Sequence, residues 1–170
     1  MNLEQAILTA IDFEAKVKAV YADAARKARE DKGKRIFEVL ANEEQTHVDF
    51  LNDKLREWRA SGKVTPKKLA TVVPPRDKIK QGIQALKKEV RDRRDRTLEL
   101  DLLKGALALE KETGQFYTRM AHELDEQGRA LFAPFVEIED GHYAIVQSQI
   151  DALNGFGYWF DFMEFQLEAG

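Results

Sequence analysis

Two stretches ninety-five residues apart carry the same short pattern, Glu44-x-x-His47 in "ANEEQTH" and Glu139-x-x-His142 in "EIEDGH". Each pattern interrupts a stripe that is otherwise apolar at helical spacing. Phe37, Leu40, Glu44, His47, Leu51, Leu55 and Trp58 form the first stripe, and Phe132, Phe135, Glu139, His142, Val146 and Leu153 the second. A core-facing stripe has no use for a carboxylate and an imidazole at its centre unless something in the core pairs with them. Any fold for this chain has to satisfy that demand twice.

The repetition extends further. Leu3, Ile7, Ala10, Glu14, Val17, Tyr21, Ala24 and Ala28 make a third stripe, and Leu100, Leu103, Leu107, Glu110, Gly114, Tyr117, Ala121 and Leu124 a fourth. An offset of 96 aligns Glu14 with Glu110, Tyr21 with Tyr117 and Ala25 with Ala121. An offset of 95 aligns Gly33 with Gly128, Phe37 with Phe132, Glu44 with Glu139 and His47 with His142. The chain therefore reads as a duplicated helical hairpin. The turns are "EDKGK", with Gly33 as a helix stop, and "DEQG". Pro66, Pro74 and Pro75 cluster between the copies, and Pro134 suits the first turn of a helix.

The expected fold is all-α, a four-helix bundle of two repeated hairpins joined by a long crossover. Residues 1–170 are expected to form one domain: hairpin 1 over about 3–60, crossover over about 61–96, hairpin 2 over about 97–153, then a C-terminal segment, 154–170. The crossover is too long for a bare loop, and Ile79, Ile83, Leu86 and Val90 suggest a short helix in "RDKIKQGIQALKKEV". The mixed-sign "RDRRDR" after it reads as a solvated face.

The overlay selects among the acidic residues. Glu43 faces Ile138 in the second copy and Glu112 faces Lys16 in the first, whereas Glu14/Glu110, Glu44/Glu139 and His47/His142 recur on the stripes. Removing even one charge from water costs several kcal/mol. Two divalent cations would balance four carboxylates, and residues three apart on a helix share a face. One Glu from each of two helices, with Glu-x-x-His from the other two, is how di-iron and di-manganese carboxylate centres are built in helical bundles. The candidate metal ligands are thus Glu14, Glu44, His47, Glu110, Glu139 and His142, with Glu14 and Glu110 bridging or chelating from the facing helices. The competing reading is a pair of buried, hydrogen-bonded Glu–His contacts. Mixed oxygen and nitrogen donors without sulfur suit iron or manganese better than a closed zinc site. Tyr21 and Tyr117 lie two turns beyond Glu14 and Glu110, either as core aromatics or as hydrogen-bond donors to ligating carboxylates. His122 falls beside its stripe and is expected on the surface.

Composition narrows the function. The sequence contains no cysteine, which removes disulfides, thiolate metal sites and cysteine nucleophiles. A net charge of −3 gives no grounds for a nucleic-acid or membrane partner. No apolar run approaches the ~20 residues of a membrane span, and the N-terminus does not read as a signal peptide. A cytoplasmic protein is expected.

Through "FEAKVKAVY" with "ANEEQTH", and "LEKETGQFY" with "EIEDGH", residues of roughly 3–153 resemble the rubrerythrin-like members of the ferritin-like superfamily. The resemblance implies a ferritin-like bundle with two iron ions held by the six residues above, usually in a homodimer. It also implies reduction of hydrogen peroxide or dioxygen. Rubrerythrins proper add a cysteine-ligated rubredoxin domain that supplies electrons. This sequence has none, so the electrons are expected from a separate donor protein or from fresh ferrous iron. Rubrerythrins also carry a glutamate where this chain has Thr113, and tend to carry another where it has His142. The alternatives are a ferroxidase or iron-handling protein, or a non-catalytic bundle. The aromatic tail "GFGYWFDFMEFQLEAG" is too apolar to lie open in water and is expected to pack on the bundle or on a second subunit.

Overall fold

In the computed structural model, residues 1–28, 31–65, 67–74, 76–85 and 97–154 are described. Among them the chain forms five helices and no strand: α1 (Leu3–Lys27), α2 (Asp31–Ser61), α3 (Arg76–Ala85), α4 (Thr97–Glu123) and α5 (Glu126–Asn154). Helix α1 packs along α2 and α4 along α5; α1 also meets α4, and α3 lies on α5. Helices α2 and α5 approach through ring contacts, His47 on His142 and Phe50 on Phe135. This is the all-helical bundle that the four stripes predict.

The ends of the helices follow from local chemistry. Asn2 caps α1 by accepting from the Gln5 N–H at 2.8 Å, while the Gln5 side chain accepts from the Asn2 N–H at 3.2 Å, a reciprocal capping box. Helix α2 ends at Gly62, whose φ of 66° is the left-handed conformation that a glycine adopts without penalty. Asp125 starts α5 by accepting from the Gly128 N–H at 2.9 Å.

Three local expectations are corrected. Gly33 does not stop a helix: α1 ends at Lys27 through extended Ala28, and Gly33 is the third residue of α2, as Gly128 is of α5. The second turn is shorter than "DEQG", because the Asp125 cap starts α5 at Glu126. Pro134 lies well inside α5 rather than in its first turn. It is exposed, so water can serve the carbonyl that its missing N–H leaves without a helical partner.

On each long helix the charged stripe positions fall between two apolar groups. One core contains Val17, Phe37, Leu40, Leu103 and Val146. The other contains Ile7, Leu51, Phe116, Phe132 and Phe135. The crossover is tied down at both ends of its described part. Lys54, buried in α2, donates to the Thr65 carbonyl at 2.8 Å and to Glu57 at 3.1 Å. Leu69, Val73 and Ile79 bury their side chains. The expected crossover helix is present to Ala85; Leu86 and Val90, the "RDRRDR" run and the aromatic tail after Asn154 lie outside the described residues.

Candidate metal centre

Helices α1, α2, α4 and α5 each turn their interrupted stripe inward, which brings together Glu14, Glu44, His47, Glu110, Glu139 and His142. All six side chains are 2% exposed or less. His47 Nδ1 lies 3.1 Å from Glu14 Oε2 and 3.1 Å from Glu44 Oε2. His142 Nδ1 lies 2.9 Å from the other Glu44 oxygen, 3.7 Å from Glu110 and 4.0 Å from Glu139. The two imidazoles are stacked, with centroids 5.6 Å apart.

Donor atoms within 4.8 Å of one another form one group from Glu14, Glu44, His47 and Glu139, and another from Glu44, Glu110 and His142. Glu44 belongs to both. The shared position therefore falls to a carboxylate of the Glu-x-x-His pattern, with Glu14 and Glu110 to either side. Each outer carboxylate is held by a tyrosine from the opposite repeat: the Tyr117 hydroxyl donates to Glu14, and the Tyr21 hydroxyl to Glu110. Each ring is also fully buried, so the tyrosines are core aromatics whose hydroxyls are paired with carboxylates.

Protonation reflects the crowding. Burial pushes the Glu44 carboxyl well above its usual range, reinforced by the charge of Glu14. Burial likewise raises Glu139, with the charges of Glu14, Glu110 and Glu44 adding to it. Burial also works against an ionised Glu14, but hydrogen bonds with Glu44, His47 and Tyr117 outweigh it and hold this carboxyl low. For His47, burial disfavours the cation, yet the bonds to Glu14 and Glu44 lift it to about 9. Burial and the neighbouring carboxylates keep both tyrosines neutral donors.

Hydrogen bonding alone does not satisfy this cluster. Both oxygens of Glu139, one of Glu110, and Nε2 of both His47 and His142 have no hydrogen-bond partner among the described residues. Buried polar atoms are nearly always paired, and so many orphans in one place fit a cation better than a polar network. The donor set, carboxylates and imidazoles on four helices, fits divalent metal.

Two residues belong to the surroundings of the site without having been singled out. Glu43 is buried and groups with His47 and His142 within 4.8 Å. Its carboxylate accepts the Val72 N–H from the crossover at 3.2 Å. The duplication set it aside because Ile138 is its counterpart; its partner lies in the crossover, which has no second copy. Gly141, next to His142, lets the crossover approach: a Cβ there would stand 2.9 Å from Val73 Cγ1 and 3.2 Å from the Pro74 carbonyl. A glycine inside a helical segment is the sequence signal for such an approach. His122 is exposed, as expected.

A helical bundle enclosing a carboxylate–histidine cluster able to hold metal defines the class of protein. The family follows from comparison: the rubrerythrin family model matches residues 5–150, and the chain belongs to that family, part of the ferritin-like superfamily. No curated protein and no solved structure matched the chain. Among the described residues no helix is long and apolar enough to cross a membrane.

Proposed function

We infer that the protein is a di-iron oxidoreductase that reduces hydrogen peroxide or dioxygen, with Glu14, Glu44, His47, Glu110, Glu139 and His142 as metal ligands. The observation that carries this reading is the convergence of buried carboxylates and imidazoles from four helices, with orphaned donor atoms on three of them. When bound, a pair of ferrous ions supplies two electrons to an O–O bond. The chain's own part is to hold and to shield. Glu44 reaches both histidines and so holds the two halves of the centre in register. Tyr21 and Tyr117 fix the orientation of Glu110 and Glu14 with neutral hydroxyls. Phe135, 5.4 Å from the His47 ring, keeps water from that side. Manganese suits the same donors. The electron donor is a separate protein, the working unit a homodimer and the compartment the cytoplasm.

The test is anaerobic loading with ferrous iron, a count of metal per chain, and then division between hydrogen peroxide and air. Two irons per chain, oxidised faster by peroxide, is the expected result. Faster oxidation by air would favour a ferroxidase, and absence of stoichiometric metal would remove the centre altogether.

A further inference from the structure

The duplication is broken at one place that matters for access. On the first repeat, the Lys18 ammonium of α1 donates to the Gln45 side chain of α2 and spans the gap between the helices. The corresponding residues of the second repeat are Gly114 on α4 and Asp140 on α5. Among the described residues that gap is left as a cavity of about 740 Å³. It is lined by Glu110 and Glu139 of the candidate centre and by half-buried Phe13, Val136 and Tyr143, with charged Arg76 and Arg119 also on the lining. A second cavity, against α1 and α2, is lined by Ala22, Arg26, Lys34, Glu38 and Asn42 and reaches none of the six.

Gly114 marks the α4–α5 opening as built. A glycine in a helix interior weakens the helix relative to alanine, so its presence calls for a local reason. Close packing does not supply that reason, because a Cβ at Gly114 would meet only Glu139 Cβ, at an ordinary 3.6 Å. What the missing side chain leaves is room beside Glu139. The volume falls in the range of small-molecule pockets and far exceeds what hydrogen peroxide or dioxygen occupies.

We propose that this cavity is the substrate pocket of the centre, that Gly114 keeps it open, and that it takes an organic hydroperoxide with an apolar body lying against Phe13 and Val136. The proposal rests on the di-iron reading. In the reaction the hydroperoxide accepts two electrons from two ferrous ions and two protons from solvent. Its O–O bond breaks, and one alcohol and one water leave.

The test uses cobalt(II)-loaded protein, whose visible absorption reports ligands at the metal without turnover, titrated with azide and with benzoate as a non-reacting aromatic anion. Wild type, Gly114→Ala and Gly114→Leu are compared, the alanine variant serving as a fold control. Lys18→Ala opens the opposite face. Both anions should perturb the wild-type spectrum; Gly114→Leu should weaken benzoate by about tenfold or more while leaving azide within about threefold. The same variant should slow oxidation of the ferrous protein by cumene hydroperoxide more than by hydrogen peroxide. No benzoate response in wild type, or an unchanged one in Gly114→Leu, overturns the pocket. A gain of benzoate binding in Lys18→Ala overturns the assignment of the face. Failure to bind cobalt or to respond to azide instead overturns the metal centre, and the pocket with it.

Discussion

Glu44 shows how one side chain is specified from both directions. Its place on a stripe marks it as buried, and its recurrence as Glu139 marks it as more than an accident. Only the assembled helices put its two oxygens within reach of two different histidines. Burial favours the neutral form of Glu44 and Glu139, and glutamine imitates that form. Glu44→Gln should therefore leave the melting temperature of metal-free protein within about 2 °C of wild type while abolishing the stabilisation that metal brings; differential scanning calorimetry with and without ferrous iron reads both. The raised groups also set a pH dependence. Raised folded values mean that Glu44, Glu139 and His47 stabilise the metal-free fold while protonated. That contribution fades as pH rises, for His47 between 6.5 and about 9. Glu14, held low, makes its contribution in full above the ordinary carboxylate range and adds no slope there. Metal must displace these protons, so its affinity should rise from about pH 5 to pH 8, with proton release seen by calorimetry in buffers of different ionisation enthalpy. An affinity that falls over this range would contradict the assigned protonation.

At the scale of elements, two glycines inside helices make opposite predictions. Gly141 of α5 sits under the crossover, and a Cβ there collides with Val73 and approaches the Pro74 carbonyl. Gly141→Ala should lower stability by about 1–3 kcal/mol through overpacking and disturb His142 beside it. Gly114 of α4 has room, and Gly114→Ala should raise stability by about 0.5–1 kcal/mol through helix propensity alone. Urea unfolding of the two variants without metal checks the signs, and equal effects would mean that the crossover does not press on α5 as described. The four long helices were legible because an amphipathic stripe of seven or eight residues leaves little freedom in its period. Their ends were not. The Gly33 stop and the "DEQG" turn were read from residue preference, whereas Asp125 hydrogen-bonding to the Gly128 N–H decides where α5 begins.

For the molecule as a whole, the polar cluster between two apolar cores couples metal binding to folding. A ligand that binds only the native state stabilises it by about 4 kcal/mol at a thousandfold excess over its dissociation constant. At this chain length that corresponds to a shift on the order of 10 °C. Stripping metal with a chelator should lower the melting temperature by that order, and manganese or iron should restore it. A chelator-insensitive melting curve would point to a structural Glu–His cluster.

The sequence alone determined the helices, the duplication and the six residues that converge, because a repeated break in an apolar stripe is a local pattern that needs no coordinates. Tertiary structure decided the rest. It gave Glu43 its partner Val72 and Gly141 its neighbour Val73, crossed the tyrosines onto the carboxylates of the opposite repeat, and opened the α4–α5 face while Lys18 spanned the other. These are contacts between segments far apart in the chain. No period or spacing within one helix encodes which side chain a distant segment will bring against it.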